Sequence, residues 1–86
     1  RIPFGSLVEL GIIKPGTTIF DNKKKISAKI MADGSIKHAQ TEGSIHKVAA
    51  TILGAESCNG WTYWHYNLNG SAVPIDHLRQ RLVNNS

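Results

Sequence analysis

The stretch that decides the fold is ISAKIMADGSIK, residues 26–37. Apolar and polar side chains alternate along its first half, which is the period of a strand with one buried face. Asp33-Gly34 then marks a turn, and an apolar residue follows at Ile36. These features predict a β-hairpin.

The register of this hairpin follows from the length of its loop. A two-residue loop would place Ile30 opposite Lys37 and mix the buried and exposed faces. A three-residue loop over residues 32–34, ending in a left-handed glycine, places Ile30 opposite Ile36. It also sets Lys29 opposite Lys37 on the other face. Like charges in that position are mildly destabilising, so the predicted lysine pair suits a face that meets an anion.

Further elements are predicted on both sides of the hairpin: a helix over residues 3–11, a strand over 17–20, an amphipathic helix over 44–53, a strand over 61–66 and a helix over 75–83. Ser44 is the expected N-cap of the second helix, and Arg79 is expected to face outward from the last. The order α-β-β-β-α-β-α predicts a small α+β fold, with an antiparallel sheet packed by helices.

Length and composition limit the class of protein. Eighty-six residues allow one domain over 1–86, and 41% hydrophobic residues are enough for one core. The single cysteine, Cys58, excludes an internal disulfide scaffold. No apolar run approaches the roughly 20 residues that span a bilayer, and no signal peptide is visible. Because the chain begins with Arg1 rather than Met, we expect a piece of a longer protein.

The net charge of +4 is confined to the middle of the chain. Residues 22–50 hold two acids and six lysines, namely Lys23, Lys24, Lys25, Lys29, Lys37 and Lys47, and the charges elsewhere cancel. Such concentrated charge favours a polyanionic partner. Solvated lysines on an exposed sheet face are the alternative.

The segment CNGWTYWH, residues 58–65, begins the most aromatic part of the chain. On a strand, Trp64 and Tyr66 share one face, and Trp61 and Tyr63 share the other. We expect one face to be core and the other a partly exposed aromatic surface on which bases could stack. The alternative is a plain aromatic core. Asn59 either caps the preceding turn or contacts an adenine edge.

The start of the helix at Ser44 resembles a small phosphate site, because free N–H groups, the helix dipole and the side chains of His46 and Lys47 converge there. An ordinary N-cap is the alternative. Catalysis is not indicated: Cys58 and the four histidines lack the spacing of a nucleophilic or metal site, and no Gly-rich nucleotide loop is present. We predict no catalytic residue, no metal and no cofactor in this chain.

Six blocks of sequence carry a family resemblance: RIPFGSL (1–7), IKPGT (13–17), ADG (32–34), GSIH (43–46), CNGWTYWH (58–65) and PIDHLR (74–79). Together they resemble the C-terminal domain of the GANTC-specific, cell-cycle-regulated adenine DNA methyltransferases of bacteria. That domain is of the type called restriction enzyme and adenine methylase associated. The CNGWTYWH-like block is the most specific of the six.

The resemblance implies that the parent protein is an N6-adenine methyltransferase that uses S-adenosylmethionine in the bacterial cytoplasm. It implies DNA contacts from the residues that match the family's motifs, which here are Ser44, Asn59, Trp61 and Arg79. The catalytic acidic-Pro-Pro-aromatic motif and the cofactor-binding glycine motif of such enzymes are absent from this sequence. The expected partners are double-stranded DNA and the catalytic domain of the same chain, with a homodimer as a further option and no membrane.

Two interpretations follow. The first is a DNA-binding, target-recognition domain in which the six lysines attract phosphates. Ser44 and His46 would fix a backbone contact, and Asn59 with Trp61 would touch bases. The second is a dimerisation or docking module that uses an exposed aromatic face.

Overall fold

A computed structural model describes residues 2–84 of the chain. These residues form four helices, α1 (Phe4–Glu9), α2 (Ile45–Leu53), α3 (Gly60–Tyr63) and α4 (Asp76–Asn84), and six strands, β1 (Thr18–Phe20), β2 (Ser27–Ile30), β3 (Ile36–His38), β4 (Thr41–Gly43), β5 (His65–Leu68) and β6 (Ser71–Pro74). The predicted α+β class is confirmed. Within residues 2–84, no helix has the length and apolar character needed to cross a membrane.

One antiparallel sheet organises the domain, with the strand order β4-β3-β2-β1-β5-β6. Its inner face is apolar and packs against side chains of the helices in one core, with Ile19, Ile30 and Ile36 at 0–1% exposure. Because side chains alternate along a strand, Lys29 and Lys37 point away from this core and are exposed. We call the side of the sheet away from the helices the outer face.

The hairpin has the predicted register. Ile30 pairs with Ile36, and Lys29 pairs with Lys37. Residues 32–34 form the loop, and Gly34 has a φ of +87°, the left-handed conformation that this loop requires. Hydrophobic alternation and turn chemistry were therefore sufficient to determine the pairing.

The predicted strand over residues 61–66 is wrong in its first half. Gly60–Tyr63 forms α3, and the strand begins only at His65. Asn59 is the cause, because its side-chain oxygen accepts a hydrogen bond from the Trp61 N–H at 3.1 Å and caps the helix. This local cap outweighs the strand preference of the aromatic residues.

The expected exposed aromatic surface is also wrong. Trp61 is 6% exposed and Trp64 is fully buried, so the two rings do not divide into an inner and an outer set. Of the Phe, Tyr and Trp residues within 2–84, all are buried or half-buried. Trp61 packs against Phe4 of α1, and the indole N–H of Trp64 donates to the carbonyl of Ile45 in α2.

The predicted elements occur in the predicted order, and the structure adds α3 and the two edge strands β4 and β6. β6 follows an Asn69-Gly70 turn in which both residues have positive φ, as a tight two-residue hairpin requires. β4 follows a turn in which Ala39 has a φ of +53°. These strands have only three and four residues, too few for an alternating pattern to stand out in the sequence.

Candidate functional site

A groove of about 860 Å³ opens on the helical side of the domain. It is formed where the N-termini of α1 and α2, the β2–β3 loop, α3 and α4 meet. Its lining residues are Ile2, Pro3, Phe4, Gly5, Gly34, Ser44, Ile45, His46, Asn59, Trp61 and Arg79. Five residues that the sequence singled out at separate positions thus lie around one cavity.

Close packing at Gly60 fixes the wall between α2 and α3. A Cβ atom at Gly60 would lie 2.6 Å from the backbone carbon and oxygen of Ile45. The Gly60 N–H donates to Nδ1 of His46 at 2.9 Å, and the buried indole N–H of Trp64 donates to the Ile45 carbonyl at 3.0 Å. Together these contacts hold Asn59 and Trp61 against the first turn of α2.

The opposite wall depends on Gly34. A Cβ atom at Gly34 would lie 2.8 Å from the Cα atom of Gly5. The β2–β3 loop therefore touches α1 backbone to backbone, which only a residue without a side chain permits at this distance. The sequence predicted the turn conformation of Gly34, whereas its contact with Gly5 carried no signal in the sequence.

Ser44 and Asn59 both act as helix caps within the groove. The Ser44 hydroxyl accepts a hydrogen bond from the Lys47 N–H at 3.0 Å, which confirms the predicted N-cap of α2. The Asn59 oxygen caps α3 in the same way. Each cap retains donor capacity, the hydroxyl proton of Ser44 and the amide NH₂ of Asn59, since capping uses only the oxygens.

His46 also presents a hydrogen-bond donor, because one of its ring nitrogens is already used as an acceptor. Its Nδ1 accepts from the Gly60 N–H, so in the neutral imidazole the proton is on Nε2. The imidazole lines the groove and is exposed. With Ser44 and Asn59, it gives this side of the groove three hydrogen-bond donors, the chemistry that acceptor-rich ligands such as phosphates and base edges require.

Arg79 does not face outward as predicted. Its guanidinium lies over the indole ring of Trp61, 4.5 Å from the ring centroid, and pairs with the carboxylate of Asp76. A ring face with a desolvated cation above it is a stable arrangement. The half-buried side chain therefore supplies positive charge to the groove instead of to bulk solvent.

The lysines are not part of this groove. Lys47 follows His46 on α2 but does not line the cavity, and Lys29 and Lys37 lie on the outer face. Lys23, Lys24 and Lys25 occupy the β1–β2 turn. The sequence predicts a single DNA interface for all of these lysines, whereas in the structure the sheet separates Lys29 and Lys37 from the groove.

A second depression, of about 440 Å³, lies beside the β1–β2 turn. Its lining residues are Asp21, Asn22, Lys23, Thr62, Tyr63 and His65. Burial, then the nearby charges of Asp21 and Cys58, raise the pKa of the Tyr63 phenol, so this hydroxyl stays protonated. The lining thus combines an ammonium and a carboxylate with hydroxyls, an amide and an imidazole.

No three His, Cys, Asp or Glu side chains within residues 2–84 come together in a way that could hold a metal ion. Cys58 is a half-buried free thiol.

Sequence reasoning missed the apolar and glycine walls of the groove. Phe4 packs edge-on against Trp61 with ring centroids 6.0 Å apart, and Gly34 and Gly60 allow the close backbone contacts. The resemblance implied a role for Arg79, but nothing in the spacing between Trp61 and Arg79 indicated their contact.

Comparison with known proteins matches this architecture to a family. The sequence profile of the Restriction Enzyme Adenine Methylase Associated family matches residues 1–86, and the chain belongs to that family. The type suggested by the sequence blocks is thereby confirmed.

Among individual proteins, the chain is similar to the Type II methyltransferase M.HinfI of Haemophilus influenzae. The two are 30% identical over 84 residues, which is 98% of this chain. The match covers 23% of the methyltransferase, so the chain spans less than a quarter of the length of that relative.

Proposed function

We propose that this chain is the DNA-binding, target-recognition domain of a longer N6-adenine DNA methyltransferase. The observation that carries the proposal is the convergence of Ser44, His46, Asn59, Trp61 and Arg79 around one groove. These residues lie on three helices and their termini, separated by up to 35 positions in the sequence. Membership of a family associated with adenine methylases and similarity to a Type II methyltransferase support it.

The groove offers complementary chemistry for a DNA strand. Arg79 supplies a planar cation with donors for a phosphate or a guanine edge, and Ser44 with His46 supplies donors for backbone phosphate oxygens. Asn59 keeps an amide NH₂ and one carbonyl lone pair, which are the groups that pair with adenine. Trp61 provides the apolar floor beneath Arg79. Lys47, which follows His46 on α2, would add sequence-independent phosphate attraction next to the groove.

The remainder of the parent protein would supply the chemistry. Methyl transfer from S-adenosylmethionine would take place in a catalytic domain of the same polypeptide, in the bacterial cytoplasm, within restriction-modification or cell-cycle methylation at GANTC sites. This chain would contribute affinity and choice of site, and no catalytic residue.

The decisive experiment replaces the Asn59 amide without removing the cap. Asn59→Asp keeps an oxygen for the Trp61 N–H, while it loses the NH₂ donor and adds negative charge. Asn67→Asp is the matched control, because the Asn67 oxygen caps the Gly70 N–H at 3.0 Å on the exposed β5–β6 hairpin, outside the groove.

Fluorescence anisotropy with labelled duplexes, with and without a GANTC site, measures the outcome. We expect Asn59→Asp to weaken binding of the GANTC duplex by about 1–3 kcal/mol, roughly five- to 150-fold, and Asn67→Asp to bind like wild type. If both variants bind the duplex equally well, and circular dichroism shows that both are folded, then the groove is not the site that binds DNA.

The docking interpretation has less support, because Trp61 and Trp64 of the aromatic segment are buried, while Tyr63 and Tyr66 are half-buried. Homodimerisation of the parent enzyme stays a prediction. Sedimentation velocity of the chain with and without duplex DNA tests it, and a dimer that forms without any DNA shift would favour docking over DNA recognition.

A further inference from the structure

We propose that the outer face is a second DNA-binding surface, which holds the phosphate backbone of a DNA segment separate from the one in the groove. The proposal rests on the proposed function in one respect, the choice of DNA as the polyanion. The surface consists of Lys24, Lys29 and Lys37 together with the depression that Lys23 borders.

The first observation is the pairing of two lysines across strands. Lys29 and Lys37 are direct neighbours on β2 and β3, and both are exposed. Glu42, which pairs with Lys37 on the edge strand β4, is the one acid in this row of the sheet. The row therefore carries an excess of positive charge that the fold itself does not neutralise.

The second observation extends the positive surface toward β5. Phe20 alternates with the buried Ile19, so its ring belongs to the outer face. The ammonium of Lys24 lies 5.3 Å from the centroid of that ring. Lys24 itself lies in the β1–β2 turn with a left-handed φ of +59°.

The third observation is a concavity at the same end of the sheet. His65 pairs with Phe20 on the neighbouring strand, so it lies on the same face and borders the second depression with Lys23. Thr62 and Tyr63 of α3 form its other side, so the depression lies at the edge of the outer face, next to α3. Ammonium, hydroxyl and imidazole groups are phosphate donors. Asp21 also borders it and brings a negative charge that offsets the charge of Lys23, while its Oδ1 accepts the N–H groups of Lys25 and Ile26 at 2.7 and 3.0 Å.

A separate DNA segment follows from the positions of the two surfaces. The groove is built from helix termini and lies on the inner side, whereas Lys29 and Lys37 project from the opposite side of the sheet. Among the lining residues of the groove that the structure describes, Arg79 is the single Lys or Arg. A straight duplex seated in the groove does not reach the outer lysines, so these lysines are available to a second phosphate backbone.

A two-duplex capture assay tests this proposal. One duplex with a GANTC site is fixed to beads, the chain is bound to it, and a fluorescent duplex without the site is added. Lys29→Gln/Lys37→Gln removes two charges from the outer face. Lys14→Gln/Arg81→Gln removes two exposed charges that line neither the groove nor the depression, and is the matched control.

We expect the wild type and the control to capture the second duplex, and the outer-face variant to lose capture about fivefold or more while it still binds the fixed duplex. The slope of log K for the second duplex against log salt should fall by about 1.8, or 0.9 for each lysine removed. Undiminished capture by the outer-face variant overturns the proposal. A parallel loss of binding to the fixed duplex also overturns it, since both surfaces would then hold one segment.

If the proposed function of the groove is wrong, the two variants show a different pattern of DNA binding. If Asn59→Asp binds the fixed duplex like wild type while the outer-face variant loses all DNA binding, the outer face is the principal DNA surface and the proposed groove function is wrong.

Discussion

The guanidinium of Arg79 lies 4.5 Å from the centroid of the Trp61 ring, and the same guanidinium pairs with Asp76 one turn earlier on α4. Arg79 is thus held from two directions above a buried indole. The contact joins α4 to α3 at the edge of the groove. A cation with so few remaining conformations loses little entropy when it meets a phosphate or a base edge, which suits recognition of a fixed geometry.

Replacing Trp61 tests whether its ring supports the fold as well as the groove. Trp61→Ala removes a ring that is 6% exposed and contacts Phe4, so we expect the free energy of unfolding to fall by about 3–5 kcal/mol. Trp61→Phe keeps an aromatic ring and should lose less. Urea unfolding measures both. Unchanged stability of Trp61→Ala would show that the indole is not part of the core. The effect of the indole on DNA binding is measured with Trp61→Phe, the less destabilised of the two variants.

Gly60 is expected to tolerate no side chain. A methyl group there would meet the backbone of Ile45 at 2.6 Å, and backbone atoms in a packed helix cannot move aside cheaply. We expect Gly60→Ala to destabilise the domain by about 1–3 kcal/mol. Gly5→Ala is the control, because nothing lies within 4 Å of its Cβ position in α1, and it should stabilise by about 0.5–1 kcal/mol. Thermal unfolding of the two variants gives the comparison, and equal midpoints would contradict it.

Stability and DNA capture should change in opposite directions at Lys29. Lys29→Glu replaces a like-charge cross-strand pair with an opposite-charge pair facing Lys37, which should raise the free energy of unfolding by about 0.2–1 kcal/mol. The same substitution should abolish capture of the second duplex. Lys14→Glu has no cross-strand partner and should change neither quantity. Urea unfolding measures the stability, and the bead assay measures capture of the second duplex. A more stable variant with full capture would contradict the role of the outer face.

The contribution of the β2–β3 loop to the stability of the fold depends on pH, and the lowered pKa of Asp33 gives the direction of this dependence. Hydrogen bonds from the Ser35 hydroxyl, at 2.6 Å, and from the Ser35 N–H lower the pKa of Asp33 below its ordinary value of 3.8. Because the folded-state pKa is depressed, this carboxylate stabilises the fold above pH 3.8, and the contribution is lost as the pH falls through the folded value.

Ser35→Ala should move the Asp33 pKa back toward 3.8, in part only, since the backbone donor remains. Ser35→Thr keeps the hydroxyl and serves as the control. The titration of the Asp33 carboxyl carbon, followed by nuclear magnetic resonance, measures the change. An unshifted titration in Ser35→Ala would show that the hydroxyl is not the main cause.

Much of the fold was accessible from local patterns. Period-two alternation and a three-residue loop determined that Lys29 would face Lys37, and the Ser44 cap and Gly54 defined α2. These signals act over a few residues, so the sequence displays them directly. The conformation at Trp61 was mispredicted because an Asn59 cap and a strand-forming composition compete within the same short segment.

The sequence by itself determined the hairpin register, the capped helix and the confinement of positive charge to residues 22–50. Only the tertiary structure decided which of those charges share a surface. Gly60 packs on Ile45, Arg79 covers Trp61, and the sheet places Lys29 and Lys37 on the opposite side from both. Such contacts join positions 15 or more residues apart, where packing rather than any periodic pattern selects the partner.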